Sequence, residues 1–328
     1  MSTQLSFVTL DVFTSTRYTG NPLALVKVPQ HVALSQSQKQ RIAREFNLSE
    51  TVFLHEPTTQ ADVDDNDNPQ TARVDIFTAQ AELPFAGHPT VGAANYLLRL
   101  LGGDDNLAAS KRVTALQTKA GRIPISLNPA GDGCQISVAH NLHVHASPYG
   151  GKPFGHYPVV SIVKGMTFIL AQLPDLAALA TTATENLIGA DATYTSSARD
   201  LDVGWREGMV VTYFFVDQAD QSGPHLSGGG ARTIRTRCFA EREDPATGSA
   251  ACALASYLSL QTGKAGRYRY AIVQGVEMGQ RSELYVEIAV KDAAGDGDGR
   301  LEIEEVLLSG SAVQVMQGTL EIPAPEEA

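Results

Sequence analysis

The sequence predicts an α+β fold made of two similar domains. The first observation is the balance of elements, because many short β-branched runs predict strands whereas only about four segments show helical periodicity. The second observation is an internal repeat, in which residues 84–97 align without a gap onto residues 245–258. Since few strands alternate with helices, the pattern favours α+β over a doubly wound sheet.

The repeat relates two segments that each lead into a helix of small residues. At an offset of 161 residues (245 minus 84), the matched pairs are Pro84/Pro245, Gly87/Gly248, Ala94/Ala255, Tyr96/Tyr257 and Leu97/Leu258. A strand-like run precedes each copy. Because the offset is close to half of the 328 residues, we predict domains at 1–146 and 147–328.

The remaining elements follow from apolar periodicity along the chain. The first half predicts strands at 5–13, 23–28 and 71–78, and helices at 35–46 and 90–101. The second half predicts helices at 175–188 and 249–260, and strands at 167–173, 209–216, 268–274, 284–290, 301–308 and 313–316. The turn-rich residues 147–158 mark the predicted domain boundary.

The start of each small-residue helix is a predicted anion site. The first turn of a helix carries unpaired backbone N–H groups and the positive end of the helix dipole. Two such helix starts facing each other across a cleft would bind a carboxylate. The second copy also fits a buried helix that is merely capped by Thr247 or Ser249.

Composition excludes several classes of function. The net charge of −11, from 25 basic and 36 acidic residues, argues against nucleic acid or an anionic membrane as partner. No apolar run reaches the roughly 18 residues of a spanning helix, and the first residues lack the pattern of a signal peptide. Three cysteines without metal spacing suit reduced thiols, so we expect a cytoplasmic protein.

Two features suggest a metal, and neither is sufficient. On a strand, His143 and His145 would share a face while His140 would not. Without a fourth ligand in the pattern, histidines of the surface or core are the favoured interpretation. The acidic run at 62–69 lacks the glycine and the distal glutamate of an EF-hand loop. We therefore predict no metal.

Six blocks occur in the order of a known family and cover nearly the whole chain. They are DVFT at 11–14, GNPLA at 20–24, FNLSETVF at 46–53, ELPFAGHPT at 82–90, EDPATGSA at 243–250 and QGVEMG at 274–279. With them the chain resembles the PhzF-like isomerases of phenazine biosynthesis, within the diaminopimelate-epimerase superfamily. The resemblance implies two pseudo-symmetric domains, each a β-barrel-like sheet around a central helix, with the active site in the cleft between them. It also implies that a last strand near 313–322 returns to the first domain.

The resemblance also implies roles for individual residues. It makes Glu50 the acid/base, with His88 and Asp244 as polar partners. The backbone donors to a substrate carboxylate would be Gly87, Gly248 and Ser249. In the epimerase branch two cysteines at the helix starts act as acid and base. Here those positions are Ala86 and Thr247, which excludes a two-cysteine mechanism.

The residue types suit proton transfer between carbons. Such a reaction needs a base close to an acidified C–H, and a glutamate in a closed apolar cleft can both accept and return a proton. No metal or organic cofactor is needed. From local sequence alone, Glu50 would be a charge at a strand start, His88 a packing residue and Asp244 a partner of the helix dipole.

Two classes of function follow. The first is a cofactor-independent isomerase or epimerase that moves a proton between carbons of a small carboxylated metabolite. The second is a non-catalytic scaffold that keeps the pocket and works through partners. The intact set of polar residues favours the enzyme. The sequence is compatible with a homodimer and does not decide the oligomeric state.

Overall fold

The computed structural model describes residues 4–56, 70–101, 113–129, 131–151, 155–193, 201–218, 230–293 and 300–324. The acidic run at 62–69 lies outside the described residues. The chain divides into two compact units. The N unit comprises Met1–Ser137 and Ser309–Ala328, and the C unit comprises Val138–Leu308. The domain limits inferred from the repeat, 1–146 and 147–328, stay a prediction.

Eight strands and two helices of the N unit lie before residue 138 in the described part of the chain. The strands are Gln4–Val12 (β1), Asn21–Val28 (β2), Glu50–His55 (β3), Gln70–Phe77 (β4), Glu82–Leu83 (β5), Val113–Thr118 (β6), Gly121–Leu127 (β7) and Cys134–Ser137 (β8). The helices are Gln36–Phe46 (α1) and Gly87–Asn95 (α2). A π-helical turn at Tyr96–Leu100 continues α2.

The C unit is also rich in strands. They are His143–Val144 (β9), Tyr149–Gly151 (β10), Gly155–Tyr157 (β11), Val159–Val163 (β12), Gly165–Gln172 (β13), Gly208–Asp217 (β14), Arg232–Phe239 (β15), Glu243–Asp244 (β16), Gly266–Gln274 (β17), Ser282–Asp292 (β18) and Leu301–Gly310 (β19). The helices are Leu176–Thr182 (α3) and Gly248–Leu260 (α4), with a short 3₁₀ turn at Ala190–Ala192.

The last strand, Ala312–Glu321 (β20), belongs to the N unit and pairs antiparallel with β1.

The mixed, strand-rich content agrees with the predicted α+β class. Three details differ from the sequence prediction. Helix α2 begins at Gly87 and not at residue 90, and its α-helical part ends at Asn95. Helix α3 ends at Thr182 and not at residue 188, because Thr181, Thr182 and Thr184 are β-branched and weak helix formers. Residues 147–158 are not fully irregular, since β10 and β11 form a short hairpin there. None of the described helices has the length and apolar character needed to cross a membrane.

The two units follow the same path through their strands. In the N unit, β2 is parallel to β3, β3 is antiparallel to β4, and β4 pairs with β5 and β6. In the C unit, β13, β14, β15, β16 and β17 repeat these pairings in the same order and directions. In both units a two-residue strand leads into a buried helix, α2 or α4. The sequence repeat therefore corresponds to a repeated strand-to-helix unit.

Small residues let the buried helices lie close to the strands. All residues of α2 are buried. A Cβ on Gly92 would lie 2.3 Å from Leu23 Cδ2 and 3.0 Å from Val12 Cγ2. Contacts that short are not available to a larger side chain without a shift of its neighbours. Glycine at position 92 thus allows α2 to approach β1 and β2.

Helix α1 is attached to the sheet by a buried ion pair. Ser35 and Gln38 form a capping box at its start, and Asn47 caps its end in the left-handed conformation with φ 49°. From α1, Lys39 Nζ lies 2.8 Å from Asp75 Oδ2 on β4, and His55 Nε2 lies 2.7 Å from the same oxygen. Burial raises the pKa of the Asp75 carboxyl, but the hydrogen bonds and charges of His55 and Lys39 outweigh it and hold the pKa well below its usual value.

We predict that Asp75→Asn destabilises the protein by about 3 kcal/mol at neutral pH, because it leaves the buried Lys39 ammonium without its carboxylate. A carboxyl with a lowered folded-state pKa stabilises above its unfolded pKa and loses that contribution as pH falls. The difference in unfolding free energy between wild type and variant should therefore have its maximum value above about pH 5 and decrease below about pH 4. Urea denaturation across this pH range measures it.

Asp132→Asn is the matched control, because the Asp132 side chain is 85% exposed and its contact with Arg99 is 3.6 Å long. We expect it to change the unfolding free energy by less than about 0.5 kcal/mol. Equal effects of the two substitutions, or a difference for Asp75→Asn that does not vary with pH, would contradict this account.

Candidate active site

Glu50 is placed by the parallel pairing of two strands in the N unit. It is the first residue of β3, and in the ladder it stands opposite Leu23 of β2. Its side chain is 16% exposed, whereas the following residues Thr51 and Val52 are buried. The carboxylate therefore sits at the end of a buried strand, with limited access to solvent.

His88 lies in the first turn of α2 and contacts Glu50 directly. Its Nδ1 is 2.7 Å from Glu50 Oε2, and its Nε2 is 3.1 Å from the carbonyl oxygen of Asn21. The histidine is 2% exposed. The imidazole thus bridges the start of β2 and the start of β3.

The contact with the Asn21 carbonyl determines which nitrogen of the His88 ring carries a hydrogen. A carbonyl oxygen only accepts hydrogen bonds, so His88 Nε2 carries a hydrogen and donates it to Asn21. The remaining nitrogen, Nδ1, then shares one proton with the Glu50 carboxyl. The pair exists either as protonated glutamic acid beside neutral histidine, or as carboxylate beside imidazolium. In the second form the Glu50 carboxylate can accept a further proton, and it can return that proton while the shared proton stays on His88.

The turn before β2 holds the Asn21 carbonyl in position. Gly20 has φ 72°, and a Cβ there would lie 2.5 Å from both Val12 O and Thr14 Cγ2. Only glycine adopts this conformation in so little space. Asp11 Oδ2 accepts a hydrogen bond from the Tyr18 N–H at 2.5 Å and closes the same turn. The buried Phe13 ring lies 6.4 Å from the His88 ring.

The start of α2 presents backbone N–H groups next to this pair. The helix begins at Gly87, and among the described residues no side chain caps it at Ala86. Gly87 and Ala86 are both buried. The helix dipole and free first-turn donors favour a negative group at this position.

In the C unit, the corresponding turn contains Asp244. Asp244 Oδ2 accepts a hydrogen bond of 2.6 Å from Thr247 Oγ1. Helix α4 then begins at Gly248, followed by Ser249, which is 4% exposed. The acidic side chain, the glycine and the serine predicted from the sequence are therefore consecutive parts of one turn.

A buried glutamine organises that turn. Gln274 Nε2 donates to the Asp244 carbonyl at 2.7 Å, and its Oε1 accepts from the Thr247 N–H at 3.2 Å. Tyr213 OH also donates to Gln274 Oε1, at 3.1 Å. Gln274 and Tyr213 are fully buried. One amide thus links β14, β17 and the turn before α4.

The structure groups the predicted site residues by unit. Glu50, Gly87 and His88 lie together in the N unit, and Asp244, Gly248 and Ser249 lie together in the C unit. The sequence prediction missed Asn21 and Gln274. Both stand in blocks that carry the family resemblance, the first in GNPLA and the second in QGVEMG. Their residue types gave no indication of a role in catalysis.

Comparison with known proteins assigns the family. The profile of the family described as phenazine biosynthesis-like protein matches residues 10–318. An uncharacterised isomerase of Mesorhizobium japonicum is 30% identical over 96% of this chain and 98% of its own length. The trans-2,3-dihydro-3-hydroxyanthranilate isomerase of Pseudomonas aeruginosa is 29% identical over 93% of this chain and 96% of its own length.

A solved structure agrees on the fold. The crystal structure of a PhzF-family phenazine biosynthesis protein from Bacillus anthracis matches with a TM-score of 0.65 and 16% identity, covering 98% of this chain and 100% of that chain. The chain belongs to the phenazine biosynthesis-like family, as the sequence blocks had indicated. The protein is an isomerase of this family.

We predict that Gly275→Ala disturbs the turn before α4 much more than Gly279→Ala. Both glycines have positive φ, 74° and 77°, so alanine costs each about 1–2 kcal/mol in backbone conformation. At Gly275 a Cβ would also lie 2.4 Å from Gln280 O and 2.8 Å from Pro245 O, whereas at Gly279 no described atom lies within 4 Å.

The comparison is made by urea denaturation of the two variants side by side. Gly275→Ala should lose at least about 2 kcal/mol more than Gly279→Ala, because a backbone clash adds to the shared conformational cost. If the two variants unfold at the same urea concentration, the conclusion that residue 275 lies against the Pro245 backbone is wrong.

Proposed function

We propose that the protein is a cofactor-independent isomerase or epimerase that moves a proton between carbons of a small carboxylated metabolite, with Glu50 as the acid/base. The observation that carries the proposal is the 2.7 Å contact between Glu50 Oε2 and His88 Nδ1, in which one proton is shared. The names of the curated relatives support the general reaction, since they are called isomerases.

Proton transfer by Glu50 starts from the carboxylate form of the pair. When the shared proton is on His88, the Glu50 carboxylate accepts a proton from a carbon next to an electron-withdrawing group. Protonated Glu50 then delivers a proton to a different carbon, or to the opposite face of the same carbon. No net proton is gained or lost by the enzyme over the cycle.

In this proposal His88 is a positioning residue. Its Nε2 hydrogen bond to the Asn21 carbonyl holds the ring, and the ring holds the Glu50 carboxyl in one orientation. The imidazolium also stabilises the carboxylate form that accepts the proton. A base that is held in place before substrate binds needs little reorganisation during the reaction.

The substrate class is proposed from the donors available to bind it. In the N unit, the backbone N–H groups at Gly87 and His88 favour a carboxylate. For the C unit, the roles of Asp244, Gly248 and Ser249 toward the same substrate remain predictions from the sequence. The Pseudomonas aeruginosa relative is named for a hydroxyanthranilate derivative. We therefore propose cyclic or amino-acid-like carboxylates as the first candidates.

The test is deuterium exchange with candidate acids in heavy water, starting with trans-2,3-dihydro-3-hydroxyanthranilate. Wild type should incorporate solvent deuterium into a true substrate, as followed by NMR or mass spectrometry. Glu50→Gln keeps the shape but loses proton acceptance, so exchange should fall by about 10² to 10⁴ while binding is largely retained. His88→Asn and Asp244→Asn should lower the rate less, because neither residue transfers the proton itself.

Glu56→Gln is the matched control, because Glu56 follows the same strand and is exposed. It should exchange deuterium at the wild-type rate. If Glu50→Gln exchanges as fast as wild type, Glu50 is not the base and His88 is the next residue to test. The scaffold alternative predicts no exchange in the wild type with any carboxylated candidate.

A further inference from the structure

A second group of polar side chains lies in the C unit, apart from the turn that carries Asp244. We call it the His143 cluster, and it consists of His143, His145, Asp202 and Trp205. The two histidines belong to β9 and the residue after it, whereas Asp202 and Trp205 lie in the segment that precedes β14. The ligand atoms of the two histidines and the aspartate all lie within 4.8 Å of one another.

The spacing of these atoms suits a small divalent ion. His143 Nε2 is 2.8 Å from Asp202 Oδ2, and His145 Nδ1 is 3.9 Å from the same oxygen. In a tetrahedral site with bonds of about 2.0–2.1 Å, neighbouring ligand atoms stand about 3.3 Å apart. The two separations lie on either side of that value, each within about 0.6 Å of it. The remaining separation, between the two histidine nitrogens, is at most 4.8 Å, so the two rings would approach each other when the ion binds.

The tautomer of His145 presents the required lone pair. Asp202 N–H donates to His145 Nδ1 at 3.1 Å, so Nδ1 carries no hydrogen. The hydrogen is on Nε2, which lies 2.9 Å from Ser161 Oγ, and Ser161 Oγ is 2.7 Å from Thr167 Oγ1. Metal-binding histidines commonly donate their second N–H to such an outer partner, which fixes the ring. A bound ion would replace the Asp202 N–H as the partner of Nδ1.

The cluster is rigid on one side and open on the other. The side chain of His145 is fully buried, whereas those of His143 and Asp202 are each 31% exposed. The His143 ring stacks on Trp205, with centroids 4.5 Å apart and planes 8° apart. Three protein ligands at a partly exposed position leave room for a water molecule as the fourth.

We propose that His143 Nε2, His145 Nδ1 and Asp202 Oδ2 bind one divalent transition-metal ion, with a fourth position open to water. Two imidazole nitrogens favour zinc or a similar ion over calcium or magnesium, which prefer oxygen ligands. The sequence alone argued against metal because no further ligand was in sight, and Asp202 supplies it. Since Asp202 precedes β14 and the histidines follow β8, the ion would tie two distant segments of the C unit together.

Zinc alone is the probe. The full chain is treated with a chelator, dialysed, and titrated with ZnCl₂, and bound metal is measured by equilibrium dialysis and elemental analysis. Wild type should bind one equivalent, and its thermal midpoint should rise with zinc concentration, because an ion that binds only the folded state stabilises it. Cobalt(II) in place of zinc should give the visible absorption of a four-coordinate ion.

Three variants separate this site from binding elsewhere. His143→Phe keeps a ring against Trp205 but removes a ligand, and should weaken zinc at least about 100-fold. Ser161→Ala removes only the outer partner of His145 and should weaken zinc about 10- to 100-fold. His156→Ala alters an exposed histidine outside the cluster and should bind zinc as wild type does.

The proposal is overturned if the wild-type protein binds far less than one equivalent of zinc at micromolar zinc concentrations. It is also overturned if His143→Phe binds zinc with unchanged affinity, since the metal would then be held elsewhere. Circular dichroism of each variant checks that the fold is retained, and Asp202→Asn provides a second ligand variant if His143→Phe does not fold. None of these outcomes depends on the proposed isomerase activity.

Discussion

The His88 imidazole, held between the Glu50 carboxyl and the Asn21 carbonyl, is the interaction on which the rest of the candidate site depends. The two contacts are 2.7 Å and 3.1 Å long, and the ring is almost completely buried. A carbonyl that can only accept forces the hydrogen onto Nε2, and this leaves a single proton for the Glu50 side of the ring. Three elements, the starts of β2, β3 and α2, must meet for this arrangement to exist.

The repeated strand-to-helix path explains how such a meeting point is built. In each unit a parallel strand pair, a two-residue strand and a buried helix follow in the same order. Small residues bring the helix close to the strands, and the helix start then faces the polar turn. The same backbone carries different chemistry in the two units. The N unit presents a carboxyl beside an imidazole, whereas the C unit presents a turn fixed by the buried amide of Gln274.

The two units therefore hold their polar turns by different interactions. Glu50 and His88 form a pair that can exchange a proton, which suits the reaction. Gln274 satisfies the Asp244 carbonyl and the Thr247 N–H at once, and the Asp244 carboxylate accepts a further hydrogen bond from Thr247 Oγ1.

Several of these features were accessible from the sequence, and the reasons are physical. The two small-residue helices could be predicted because glycine and proline mark turns and because the stretch occurs twice, although they begin at Gly87 and Gly248 and not at residues 90 and 249. The Asn47 cap follows from its preference for the left-handed conformation.

Other features could not be predicted because they depend on long-range contacts. Asn21 acts through its backbone carbonyl, which has no signature in the residue type. Gln274 reaches its partners through the parallel register of β15 and β17, in which it stands opposite Thr236. Asp202 is 57 residues from His145, so only the folded chain brings them together.

The most direct test of the central arrangement is the protonation state of the His88 ring, measured by ¹⁵N NMR on the folded protein and assigned by comparison with His88→Asn. The account predicts that Nε2 carries a hydrogen in the folded protein, because the Asn21 carbonyl can only accept. A spectrum in which Nε2 is unprotonated would contradict the account, since His88 could then not donate to Asn21 and would not hold Glu50 in the position proposed for proton transfer.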